Sequence, residues 1–168
     1  MEKENNKQKH TIKRIGGYLH KIVPIADKEG KVLHHAIIPF MVELRLRDVM
    51  QIIVGASILA IPVAFTEEVW VLGEHLSSNR VLILTMLSLF FIATFVYFNF
   101  YRYHFMEHVS EYIKRVFATY ILSLLVVAVL LTIIEKCPWG INNLLAIKRI
   151  IIVAFPASMS ASLSDTIK

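Results

Sequence analysis

The chain is short of charge and of cysteine, and it lacks the glycine-rich signatures of nucleotide sites. Each shortage removes a class of protein. Only 18% of its 168 residues are charged, against about 25% in an ordinary soluble domain. The deficit is uneven. Residues 1–48 are rich in charge, whereas Val49–Phe65, Val81–Tyr101, Val116–Ile134 and Ile150–Leu163 contain no charged residue at all. With one cysteine, Cys137, no disulfide framework can form within the chain and a thiolate metal cage is excluded. Cys137 stands at the end of the third apolar stretch beside Pro138 and Trp139. It reads as a boundary residue, because a nucleophilic thiol needs a base or cation in a defined pocket. None of the six glycines belongs to a Walker loop or a dinucleotide fingerprint, and there is no nucleophile elbow. No cofactor, no nucleic-acid partner and no enzymatic reaction are expected.

What is present is hydrophobicity, at 56% of residues, arranged in four runs. An α-helix rises about 1.5 Å per residue and the hydrocarbon core is about 30 Å thick. The second and third runs are long enough to cross it. The first is slightly short and is expected to extend through Leu46 and Val69–Leu72. The fourth crosses only if its helix begins near Ile141 and carries Lys148 and Arg149 inside the outer third of the membrane. The fold class expected is an all-α membrane protein of four transmembrane helices, residues 46–168, preceded by a small N-terminal cytoplasmic segment, residues 1–45. The first run begins after many charges, so it reads as a retained span rather than a signal peptide.

Lys and Arg set the orientation. With four spans, fourteen of the eighteen fall on the side of the termini and four on the other, so both termini are predicted to be cytoplasmic. Tyr97, Tyr101 and Tyr103 mark the inner interface, and Trp70 and Trp139 the outer one. In the N-terminal segment, Met1–His10 is polar and expected to be disordered. Tyr18–Ile25 and Lys31–Ile38 read as a β-hairpin turned at Gly30, with Pro24 favouring an edge position. A hairpin alone is marginal in water, so it is expected to dock on the membrane domain or on a neighbouring subunit. Met41–Arg47 is expected to lead helically into the first span. His34 and His35, adjacent in a strand, face opposite sides and make a poor metal pair.

Two faces carry small residues. Ala154, Ala157, Ser158, Ala161, Ser162 and Asp165 share one face of the fourth helix, and Ala56, Ala60 and Ala64 recur every four residues on the first. Close helix packing explains both stripes. The functional alternative is that Ser158, Ser162 and Asp165 line a narrow wet path. Pro62 and Pro156 each remove an N–H and tend to kink their helices. Glu67 continues the Ala60–Ala64 face, and Glu68 follows it. They are candidates for ion pairs with Lys148 and Arg149, or for an acidic ring favouring cations at a pore mouth in a symmetric oligomer. His104, His108 and Glu111 share a helical face, candidates for a regulatory metal or proton-sensing site, and residues 104–108 also fit the His-x-x-Glu-His form of some zinc peptidases. A zinc enzyme needs three ligands and an open position, and a solvated helix is the simpler reading. Asn99 on the second helix suggests an interhelical hydrogen bond, and Thr119 and Ser123 are the paired polar groups of the third.

The strings RDVMQIIVGASILAIPVAFTEEVW (47–70), FVYFNFYR (95–102), KRVFATYILSLLVV (114–127) and IKRIIIVAFPASMSASLSDT (147–166), with PIADKEGKVLHH (24–35), resemble a prokaryotic family of integral membrane proteins of unknown function. The resemblance implies a prokaryotic cytoplasmic membrane and brings no activity or site residues. Two functions remain open. One is a homo-oligomeric, cation-preferring ion channel or small-ion permeation protein, with the lipid bilayer and an inorganic cation as partners. The other is a non-transporting scaffold or sensor acting through residues 1–45.

Overall fold

The computed structural model describes residues 11–15, 18–26, 32–39, 44–102 and 108–167. The chain falls into two compact units that meet between Glu43 and Leu44. In the first, three antiparallel strands lie in the order β1 (Thr11–Ile15), β2 (Tyr18–Ala26), β3 (Val32–Pro39). The β2–β3 register runs from His20 opposite Pro39 to Ala26 opposite Val32, with an irregularity at Ile25/Ala26. Pro24 lies on the central strand and not on an edge strand. It lies beyond Ile22, the last β2 residue paired with β1 among the described residues. The Gly30 turn and Met1–His10 lie outside the described residues, and the β1 strand was not anticipated.

The second unit contains α1 (Leu46–Ala64), α2 (Glu67–His75), α3 (Ser78–Val96), α4 (Val109–Ile133) and α5 (Asn143–Thr166). A π-helical turn, Tyr97–Tyr101, continues α3. Among the described residues, four helices are long and apolar enough to cross a membrane: α1, α3 with its π turn, α4 and α5. At 24 residues, α5 is about 36 Å long, so the helix that carries the fourth run is long enough to cross. Its start is fixed by Asn142, whose side chain accepts the Leu145 N–H at 3.0 Å. Gly140 supplies the turn before it with φ +80°, a conformation that favours glycine.

Two expectations about α1 are corrected. Leu44 and Arg45 do not lead in helically: Arg45 is extended, and Asp48 caps the helix by accepting the Arg45 N–H at 3.2 Å, while Met41–Glu43 lie outside the described residues. Nor does α1 extend through Leu72. It stops at Ala64, where Thr66 donates to the Val63 carbonyl and the Trp70 indole donates to the Ala64 carbonyl at 2.9 Å. Those bonds satisfy C-terminal carbonyls that a helix end leaves open. Glu67 and Glu68 therefore begin a new helix. Pro62 and Pro156 both lie inside helices that run on past them.

The bundle is built on ridges spaced four residues apart. On α1 these are Asp48, Ile52, Ala56, Ala60 and Ala64. On α4 they are Arg115, Thr119, Ser123, Val127 and Leu131. On α5 they are Arg149, Val153, Ala157, Ala161 and Asp165. Every one of these side chains is buried. Such rows interlock between helices, and small residues let the backbones approach where lipid removes the usual drive for burial. α5 is the central helix: 50% of its span is buried, against 22–33% for the others. The opposite faces are apolar and exposed, among them Met50, Val54 and Ile58 on α1 and Phe117, Ile121 and Leu125 on α4.

Gly55 marks the closest approach of α1 and α5. A Cβ there would lie 2.9 Å from the Ser160 carbonyl oxygen and 3.0 Å from Ala161 Cα, and closer still to Ser164 Cβ. Gly55→Val is expected to cost about 1–3 kcal/mol of stability through overpacking, measured by unfolding in micelles. Ile58→Val on the exposed face is expected to leave the midpoint nearly unchanged.

Candidate functional site

The helices place charge at both ends of the bundle. At the proximal end, where α1 starts and α5 finishes, Arg115 of α4 is completely buried. Its Nε and Nη2 donate to Asp165 Oδ2 and Oδ1, both at 2.8 Å, a two-pronged bond. Nη2 also reaches Asp48 Oδ2 at 3.3 Å. The Phe100 ring, carried by the π turn, lies 3.9 Å from the guanidinium carbon. Asp48 and Asp165 are themselves 2% and 1% exposed. One guanidinium thus joins α1, α4, α5 and the end of α3. Tyr101 and Tyr112 meet edge to face at 5.3 Å beside it, and Tyr112 donates to the Ala93 carbonyl. The π turn re-aims the last residues of α3, a distortion that recurs at functional positions.

At the distal end Arg149 is the hub. It donates to the Lys136 carbonyl at 2.7 Å, the Trp70 carbonyl at 3.3 Å and Glu74 Oε1 at 2.8 Å. Lys148 donates to the Leu76 carbonyl at 2.8 Å, and Lys136 sits 3.9 Å over the Trp70 ring. Gly73 lets α2 lie against the Arg149 stem, since a Cβ would come within 2.7 Å of Cγ. These contacts explain how two cations are carried near lipid: each is turned onto carbonyls of the chain that covers it. The acidic partner of Arg149 is Glu74 and not Glu67 or Glu68. The break at Phe65-Thr66 sets that pair at the start of α2, where both are exposed and complement the positive helix end.

The small face of α5 is brought against α1. Ser158 donates to the Phe155 carbonyl and Ser162 to the Ser158 carbonyl, at 3.0 Å each. Both are buried, so their protons are held within the helix. Asp165 is taken up by Arg115. Asn99 bonds back to the Phe95 carbonyl of its own helix at 2.8 Å, not to a neighbouring one. His108 stands at the N-cap position of α4 without a side-chain capping bond, and Glu111 lies in the first turn. His104 lies outside the described residues, among which no three His, Cys, Asp or Glu residues are grouped to hold a metal. Cys137 is buried. Burial pushes its thiol above the ordinary range, partly opposed by Thr132 and by the charge of Arg149.

Asp48 and Arg115 were not singled out as site residues from the sequence. A signal for Arg115 was available: it continues the Thr119–Ser123 ridge one turn outward, so a polar interior row ending in a cation asked for an acidic partner. Asp165 had been marked, at the end of its own small-residue row.

Four apolar helices around a seam of small residues, with ionisable groups turned inward at each end, define an integral membrane bundle. Residues 26–165 match the family described as "Putative integral membrane protein (DUF2391)", and the chain belongs to that family. No curated protein and no solved structure matches it.

Removing one member of a buried ion cluster leaves the others uncompensated. Arg115→Leu is therefore expected to lower stability by about 3–5 kcal/mol, while Glu74→Gln, whose carboxylate is half exposed, costs below about 1 kcal/mol. Adding Asp48→Asn and Asp165→Asn to Arg115→Leu recovers most of the loss. Unfolding of the purified variants in micelles checks all three. Cys137 is expected to react with maleimide at least roughly tenfold more slowly than a cysteine introduced at exposed Ser110, with its rate still rising above pH 9.

Proposed function

We propose that the protein is a homo-oligomeric small-ion permeation protein of a prokaryotic cytoplasmic membrane, cation-preferring and without enzymatic activity, with both termini cytoplasmic. The observation that carries the reading is the proximal cluster, in which two buried carboxylates share one guanidinium. Ionisable groups turned into a membrane bundle are costly and commonly mark ion pathways. The surplus carboxylate gives this one a preference for positive charge. The cluster lies on the side that receives the excess of Lys and Arg, so it stands at the cytoplasmic end of the path.

The small face of α5 is closed against α1 within one copy. A path therefore runs between copies, or opens when the α1–α5 seam parts. In the first case the exposed Glu67 and Glu68 of α2 recur around the axis and form a ring at the outer mouth. In the second, the Arg115 cluster is the latch, since parting α1 from α5 separates Asp48 from Asp165.

Purified protein reconstituted in liposomes is expected to pass K⁺ or Na⁺ above the rate of empty vesicles. Glu67→Ala/Glu68→Ala is expected to reduce cation-over-anion selectivity. Flux no greater than that of empty vesicles overturns permeation, and unchanged selectivity removes the glutamates from the path.

The alternative, a scaffold or sensor working through the N-terminal segment, is favoured by one observation. The strands form a compact unit of their own, and the family match includes β3. On this reading, deletion of residues 1–43 abolishes capture of a partner and leaves the helical unit folded.

A further inference from the structure

The proximal cluster is unbalanced in charge and in hydrogen bonds, and both imbalances fall at the same place. Asp165 is fully engaged, each of its oxygens held at 2.8 Å by Arg115. Asp48 is not. Its Oδ2 accepts from Arg115 Nη2 and from the Arg45 N–H, whereas its Oδ1 is buried and has no donor. One turn along the same face of α1, Gln51 donates through Nε2 to the Ile167 carbonyl at 2.6 Å. That bond fixes which way the amide points, and it leaves Oε1 buried and also without a donor. Unsatisfied buried acceptors are uncommon. Here two of them stand three residues apart, on positions that neighbour each other on a helix, and one belongs to a carboxylate that shares its guanidinium with Asp165.

We propose that Asp48 Oδ1 and Gln51 Oε1 bind a monovalent metal cation of the sodium class. Carboxylate and amide oxygens are hard ligands, which select alkali and alkaline-earth ions over transition metals. One surplus negative charge matches one positive charge. A calcium-type site draws six to eight oxygens and commonly several carboxylates, and the second carboxylate is already committed to Arg115. Gln51 is only partly buried, so water from the aqueous end completes the coordination shell. The last carbonyls of α5, one of which Gln51 holds, add negative potential. Among the described residues, the charged groups at this position are Arg115 from α4, Asp165 from α5 and, at the start of α1, Arg45, whose N–H bonds Asp48. This deepens the permeation reading by naming the ion held at its cytoplasmic end. It rests on that reading for the ion's role, and binding itself is measured separately.

The full-length protein in detergent is titrated with NaCl against choline chloride at constant ionic strength, and its thermal midpoint is followed. Sodium is expected to raise the midpoint saturably, by roughly 3–6 °C near saturation. Gln51→Leu, a substitution at a partly exposed position, is expected to fold and to lose the response. Gln51→Glu is expected to shift half-saturation to lower sodium. Equal midpoints in sodium and choline overturn the site, as does a sodium response retained in Gln51→Leu. So does stabilisation by acid alone with no sodium effect, since that marks a proton as the occupant. A sodium response without flux in liposomes keeps the site and removes permeation; flux without a sodium response does the reverse.

Discussion

The guanidinium of Arg115 has no access to water, and the arrangement of the bundle follows from that constraint. A cation in a low-dielectric interior is tolerable only when its donors are met and its charge is opposed. Asp165 meets two donors in the planar geometry that arginine favours. Asp48 supplies the second carboxylate, and Phe100 covers the guanidinium. For these groups to converge, α5 must run its full length back to the end from which α1 departs. The π turn must also rotate the end of α3 so that Phe100 reaches the cation. A shift of α4 by one residue would turn Arg115 toward lipid and leave two carboxylates facing each other. Register along four helices is therefore tied to one side chain.

The distal end solves a different problem. There Lys148 and Arg149 precede the apolar part of α5, and without cover they would face the headgroup region. The chain folds α2 over them instead, and the carbonyls at the ends of α2 and α4 become their acceptors. Because Arg149 is held largely by backbone oxygens, its position depends on where α2 lies more than on any one acidic partner. The exposed Glu74 contributes less than the geometry suggests. Between the two arginine hubs, α5 carries Ala154, Ala157, Ser158 and Ala161, and its serines bond to their own helix. Rigid charged ends and a thin small-residue middle bring α1 and α5 close enough that Gly55 has no room for a side chain.

The spans were readable because four long runs without charge have few other physical solutions. The α5–α1 seam was readable because alanine and serine at helical spacing pack well and do little else. The end of α1 was not. Phe65-Thr66 carries no glycine or proline, and the stop depends on Trp70 reaching back to the Ala64 carbonyl, which is a tertiary contact. The same kind of information was missing for Glu67, whose place on the Ala60–Ala64 row assumes that one helix continues. In the sequence Arg115 adjoins Lys114 at the edge of an apolar run and so reads as a boundary cation. Its neighbour Lys114 is exposed, while Arg115 falls on the buried ridge, a difference that periodicity encodes and charge counting averages away.

The stoichiometry of the proximal cluster separates a fastening from a site. A neutral pair, one arginine with one aspartate, would bind α4 to α5 with the two-pronged bond already present. The second aspartate adds little to that bond: its contact is longer, one of its oxygens is spent on capping its own helix, and the other has no donor. For stability alone, an asparagine at position 48 would still offer its amide oxygen to the Arg45 N–H without bringing a second buried negative charge. The carboxylate is therefore better understood through what it leaves over than through what it holds. A single unmatched charge, set where water reaches the bundle through Gln51, suits an exchangeable cation. It also places that cation where α1 and α5 would have to separate for the bundle to open.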